Sequence, residues 1–170
     1  MAAAQVVAAR ECRRCLMENR RSMIELKKIV KRFYEGKPNE LEILHGIDLT
    51  VKEGEFVSIV GESGSGKSTL MNIIGALDRP TMGDYILTGI DVAKAKDKEL
   101  SEIRNQQIGF VFQTYNLIAR TTALANVELP MLYGAVPKKE RTRRAKELLE
   151  MVGMRERMDH RSDELSGGQK

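Results

Sequence analysis

The chain has 170 residues, room for one domain or one domain with a small lobe, and its mix of 42% apolar and 31% charged residues suits a soluble globular protein rather than a disordered one. No run of 18 apolar residues offers a membrane span, and two cysteines exclude a disulfide scaffold and point to a reducing, cytoplasmic setting. The net charge of +4 is concentrated in residues 1–22, whose five Arg and two Glu leave the rest at only +1, so no nucleic-acid partner is expected.

Residues 1–22 show no helix or strand period. The apolar stretch 2–9 precedes the arginines, the reverse of a secretory signal. Cys12 and Cys15 have C-x-x-C spacing, but no second pair follows and His45 and His160 are distant, so the pair is half a zinc site at best, with a metal, redox or membrane-surface role of this segment as the lesser reading. A disordered tail is expected, or a start assigned too early with Met17 or Met23 as the true first residue.

From Met23 the pattern changes. Residues 23–30 alternate loosely and predict a strand, 43–51 a second, and 52–55 a turn. Residues 56–60 are almost all apolar, as in a buried parallel strand. Gly-rich residues follow, then 70–74 at helical spacing. Residues 85–92 predict another strand, 97–107 a polar helix and 108–112 a second buried strand. Beyond these the character becomes helical. Pro137 suits a first helical position before 138–152, where Ala145, Leu148, Leu149 and Val152 form one apolar stripe. The pairs Glu140–Arg144, Arg143–Glu147 and Lys146–Glu150 lie on its wet side.

Gly61, Glu62, Ser63, Gly64, Ser65, Gly66, Lys67 and Ser68 match G-x-x-x-x-G-K-[ST] without a gap, with Thr69 next. Phosphate oxygens must approach a backbone closely, and Gly64 and Gly66 remove the Cβ atoms that would block them. Successive N–H groups then form an anion nest, and the following helix adds its unsatisfied N–H groups and positive dipole end. Lys67 places a cation on the β and γ phosphates, and the Ser68 hydroxyl is offered to a bridging Mg²⁺. Chance produces this pattern in under about 1% of chains of such composition, so a nucleotide site is expected.

The second motif is Leu165, Ser166, Gly167, Gly168 and Gln169, a turn by composition alone, yet a pentapeptide that chance yields only about once in 7,000 such chains. LSGGQ is the signature of the ATP-binding subunits of ABC transporters, which this chain resembles over residues 23–170. Residues 110–113, Phe-Val-Phe-Gln, look like the strand and glutamine of that family's Q-loop. Residues 77–83 look like its segment after the phosphate-loop helix, and Tyr34 stands before Gly36 much as the adenine-stacking aromatic does, with Phe33 as its rival. Residues 116–134 are most similar to the macrolide-export and lipoprotein-release subgroup.

The resemblance implies an α/β P-loop NTPase: an ABC-type core with an antiparallel β subdomain, plus a partial helical subdomain, incomplete at its C-terminal end. The implied organisation is a tail over 1–22, an ATP-binding core over 23–115 and a helical subdomain over 116–170. ATP and Mg²⁺ are the implied cofactors. Residues 61–69, Tyr34 and Gln113 would bind the nucleotide, Ser68 and Gln113 the metal, and Lys67 and Gln113 would serve catalysis. Residues 165–169 would bind the γ-phosphate held by a second subunit in a head-to-tail homodimer. The implied partner is a membrane permease, with the chain peripheral on the cytoplasmic face of the plasma membrane. The family continues past the signature to a strand ending in a Mg²⁺-holding Asp and a catalytic Glu, then a switch His. No substitute lies upstream: Asp78 ends an apolar run but stands only 11 residues past Lys67. Weak turnover and poor stability of the 170 residues are therefore expected. A non-catalytic nucleotide-binding fragment and a small P-loop kinase are the alternative readings; the kinase gives no reason for LSGGQ.

Overall fold

Strand β2 (Ser22–Phe33) shows why its sequence alternates only loosely. Leu26 and Ile29 are both buried although three residues apart, where a two-residue period would put them on opposite faces. A register shift between them, with Lys28 at φ 49°, absorbs the odd residue as a bulge. The Lys28 N–H donates to Asp48 Oδ1 at 2.8 Å, satisfying a donor that the bulge takes from the ladder. Gly83 closes on the same bulge from β5 (Met82–Leu87), where a Cβ would meet the Lys28 carbonyl oxygen at 2.4 Å. The computed structural model describes residues 5–8, 20–112 and 116–169, and they fall into two compact units, Met1–Ser101 and Glu102–Lys170.

In the first unit β2 pairs antiparallel with β3 (Leu41–Lys52) and with β5, and β6 (Ile90–Asp91) folds back on β5. The sheet order is β3-β2-β5-β6. The single strand expected over 85–92 is thus a hairpin, because Thr88 at φ 50° and Gly89 at φ 90° turn the chain. The strand at 56–60 is also different from expectation. It is β4 (Val57–Val60), half-buried and exposed by turns, and it pairs antiparallel with β1 (Gln5–Ala8). Besides Ser22 at the start of β2, the four residues of β1 therefore place part of the 1–22 segment in strands, where the sequence predicts no regular element. Helix α1 (Lys67–Ile74) follows the glycine-rich loop and buries Leu70 and Ile73. With Leu26, Ile29, Leu44 and Tyr85 of the sheet, these are the most deeply buried side chains.

The buried strand expected over 108–112 is not formed. Val111 and Phe112 are exposed, and Phe112 stacks on Phe110 at 5.3 Å between ring centroids. A strand exists only through the ladder that satisfies its N–H and C=O groups, and among the described residues none pairs with this run.

Helix α2 (Asp97–Gln107) opens with Asp97 and Glu99 in its first turn, as the macrodipole favours. In the second unit, Thr122 caps α3 (Ala123–Tyr133), its hydroxyl accepting from the Ala125 N–H at 3.1 Å. Pro130 lies inside α3, and Asn105 Nδ2 donates to the Pro130 carbonyl at 2.8 Å. Helix α4 (Lys138–Met151) starts one residue after Pro137, which is its N-cap. Ala145 and Leu149 are buried as expected, but Val152 is exposed, since the helix ends before it and the stripe loses its period there. Arg143 pairs with Glu147 and, one residue nearer than expected, with Glu140; the last contact raises the Arg143 pKa and lowers that of Glu140. Ala123, Leu149 and Leu165 form the core of this unit, with Leu124, Val127, Met154 and Met158 packed against it.

Candidate functional site

The loop 61–68 is a polar cradle made by backbone geometry. Gly66 is the N-cap of α1 in the left-handed region at φ 91°. A Cβ on it would stand 2.9 Å from Leu44 Cδ2 and 3.3 Å from the Ile43 carbonyl oxygen, so the glycine lets the loop sit directly on β3. No side chain caps α1 and no acidic residue stands in its first turn. Its first N–H groups and dipole end therefore stay available to an anion. Gly64, at φ 81°, has nothing within 4 Å of a Cβ position, which leaves the concave side open.

Lys67 Nζ donates to the carbonyl oxygens of Gly61 at 2.8 Å and Glu62 at 2.5 Å, and lies 3.4 Å from Ser65 Oγ. The loop thus wraps its own cation. Ser68 is exposed and Thr69 half-buried beside it. A triphosphate would take Lys67 from these neutral oxygens for charged ones, a charge-assisted exchange. The donors fit the group: one ammonium, an uncapped helix end, an open backbone concavity and a nearby hydroxyl.

The far end of α1 is tied to the sheet. The buried Tyr85 hydroxyl donates to the Ile74 carbonyl at 2.5 Å, and burial pushes its pKa up to about 12. Lys31 Nζ donates to Asp78 Oδ1 at 2.7 Å and to the Arg79 carbonyl at 2.8 Å. Asp78, weighed above as a strand-end acid, is instead the partner of Lys31 just past α1. Neither Lys31 nor Tyr85 stands out in the sequence, because their partners are far along the chain.

Tyr34 follows the end of β2 at φ 56° and is 58% exposed; its carbonyl accepts from the Lys37 N–H at 3.0 Å. Phe33 is less exposed, and Lys31 Nζ lies 5.3 Å from its ring centroid. Beside them the Arg32 guanidinium, hydrogen-bonded to Glu42, holds that carboxyl below its ordinary range. β3 brings this end of the sheet to the phosphate loop: Phe33 is opposite Leu41, and Lys31 is opposite Leu44, on which Gly66 rests.

In the second unit Leu165 is buried, so within 165–169 it anchors rather than touches a ligand. Ser166, Gly167, Gly168 and Gln169 are exposed. The Gln169 N–H donates to the Ser166 carbonyl at 2.9 Å, and Gln169 Oε1 accepts from the Ser166 N–H at 3.1 Å, closing a small ring. Upstream, Ser162 N–H donates to the Thr121 carbonyl at 3.1 Å and Ser162 Oγ to that of Ile118 at 3.2 Å, which fastens the segment to the start of α3. Gln113, Cys12 and Cys15 lie outside the described residues. Among the described residues no group of three or more His, Cys, Asp and Glu could hold a metal ion, and no helix is long and apolar enough to cross a membrane.

These features agree with comparisons to known proteins. The family described as ABC transporter matches residues 44–170. An uncharacterized ABC transporter ATP-binding protein of Bacillus subtilis (strain 168), YvrO, is 59% identical over 148 residues, 87% of this chain and 64% of that protein. The macrolide export ATP-binding/permease protein MacB of Azoarcus sp. (strain BH72) is 52% identical over 86% of this chain, which covers 22% of MacB. Among solved structures, the dimeric post-hydrolysis state of the ATP-binding cassette MJ0796, bound to ADP and Pi, superposes with a TM-score of 0.76 at 46% identity, covering 86% of this chain and 65% of that one. The chain is an α/β P-loop NTPase, with the C-terminal part of that fold only partly represented. It belongs to the ABC transporter family, and it spans 64% of the length of the YvrO protein it matches.

Proposed function

We propose that the chain is the ATP-binding subunit of an ABC transporter, using ATP binding and hydrolysis to drive a membrane permease from the cytoplasmic face. The observation that carries this is the Lys67 ammonium, held by the Gly61 and Glu62 carbonyls at the mouth of an uncapped helix. Lys67 shifts to the β and γ phosphates, the 63–68 backbone N–H groups receive the phosphate oxygens, and the N-terminus of α1 stabilises their charge. Ser68, with Gln113, would hold Mg²⁺, which neutralises charge building between the phosphates. Tyr34 offers its exposed ring to the adenine, a stacking contact worth roughly 1–3 kcal/mol. Ser166 and Gly168 present a hydroxyl and a backbone N–H to the γ-phosphate on a second copy. The MacB name, which joins ATP-binding and permease parts in one protein, and the dimeric MJ0796 cassette support these partners.

The test is Lys67→Ala. It removes the cation and leaves the loop backbone, so affinity for a fluorescent ATP analogue should fall roughly 10–100-fold, the worth of a charged hydrogen-bonded pair. Equal affinity of the two proteins would show that the loop is not the nucleotide site.

A further inference from the structure

Lys31 is a cation with an unusual set of neighbours. Its side chain is only 13% exposed. It meets one carboxylate, Asp78, one carbonyl, Arg79, and one aromatic face, that of Phe33. The two oxygens belong to the turn that follows α1, and the ring belongs to the last residue of β2. Around it, the Thr81 N–H donates to the Val30 carbonyl at 2.8 Å and the Arg32 N–H to Thr81 Oγ1 at 3.0 Å, so residues 78–81 run along the end of β2. Asp78 also accepts from the Arg79 N–H at 2.7 Å, which fixes its carboxylate toward Lys31.

We propose that Lys31 is a positioning residue for nucleotide binding, locking the aromatic end of β2 to the turn behind the phosphate-loop helix. This rests on the reading of 61–68 as the phosphate site. The phosphate end of a bound nucleotide is set by α1, and its base end by the rings at the end of β2. A ligand that spans both needs their separation held, and Lys31 bridges the two elements directly. Its ammonium also covers one face of Phe33. That face is closed to a base, which leaves the other face of Phe33 and the neighbouring, more exposed Tyr34 ring as the platform. The ligand class follows: a nucleoside triphosphate, with Lys31 acting on its base half and not on its phosphates.

The experiment compares Mg²⁺–ATP with Mg²⁺–tripolyphosphate, which has no base, by calorimetric titration of the whole chain. Lys31→Met keeps the side-chain length and removes the charge. ATP affinity should fall roughly 5-fold and tripolyphosphate affinity change by less than about twofold, the scale of one partly desolvated cation–ring contact. Asp78→Asn should give the same ratio, and it carries the test if Lys31→Met does not fold. Lys31→Arg, which keeps a cation over the ring, should restore most of the ATP affinity. Equal weakening of both ligands would mark Lys31 as merely structural, and unchanged ATP affinity would remove it from the site; either overturns the proposal. Failure of the underlying reading looks different: the unaltered chain would then bind tripolyphosphate no better than Lys67→Ala does, and both readings would fall together.

Discussion

In the segment 61–68 the loop holds its own charged group: the Gly61 and Glu62 carbonyls take the Lys67 ammonium, and Gly66 seats the backbone on β3. In the segment 165–169 one apolar side chain, Leu165, reaches a core, while 166–169 face solvent in a ring closed by Gln169. The first arrangement offers a cation, a helix end and an open concavity, enough to bind an anion unaided. The second presents small polar groups with no cation among them. In the proposed reading it meets a ligand held by a second subunit. Stability and binding should accordingly separate at the two segments, and substitutions can break or sharpen that contrast.

The largest effect is expected from Leu165→Ala. Losing this buried side chain should cost the second unit about 2–5 kcal/mol, read as a lower urea midpoint, while ATP binding at 61–68 persists in whatever remains folded. If the midpoint does not move, Leu165 is not the anchor. Gly66→Ala should come next, at about 1–3 kcal/mol, because φ 91° strains any side chain and the Cβ meets Leu44. Unlike Leu165→Ala it should also abolish nucleotide binding, and an alanine protein that binds ATP normally would contradict the seating of the loop on β3.

Tyr85→Phe removes the hydroxyl that ties the end of α1 to the sheet, for about 1 kcal/mol. Tyr85 also predicts a pH dependence. Its folded pKa is raised to about 12, so the neutral ring contributes stability that is fully present below the unfolded value near 10 and is lost as pH rises through the folded value. The tyrosine protein should lose stability faster than the phenylalanine one between about pH 10 and 12. Parallel alkaline melting curves would dispose of this. Gly168→Ala closes the series with the smallest effect on folding, within about 0.5 kcal/mol, since nothing stands within 4 Å of its Cβ position. ATP-dependent self-association, followed by light scattering, should nevertheless weaken. Unchanged association would argue that 166–169 do not meet a second copy.

The glycine-rich loop before α1 was legible in the linear chain because its signals are local. Glycines, lysine and hydroxyl sit within eight contiguous residues, and the backbone N–H groups come with them. The signature was legible as a motif, but which residue of it is buried was not. Leu165 meets Ala123 and Leu149 only through the folding of α3 and α4. The run 108–112 was misleading for a related reason: apolar composition permits a strand, but a strand forms only when another lies beside it. The same holds for 85–92, where Thr88 and Gly89 turn a continuous pattern into a hairpin.

By itself, then, the sequence already determined a glycine-rich loop at 61–68, a strand before it and a helix after it, and a helix after Pro137. Each of these depends on near neighbours, through glycine's freedom, helical period and capping. Packing alone decided the bulge at Lys28, the antiparallel partner of β4, the burial of Leu165 and the junction of Lys31 with Asp78, Arg79 and Phe33. Lys31 and Asp78 are 47 residues apart. Such a pairing has no period and no local signal, because its stabilisation arises only once two distant segments have been brought together and water has left the space between them.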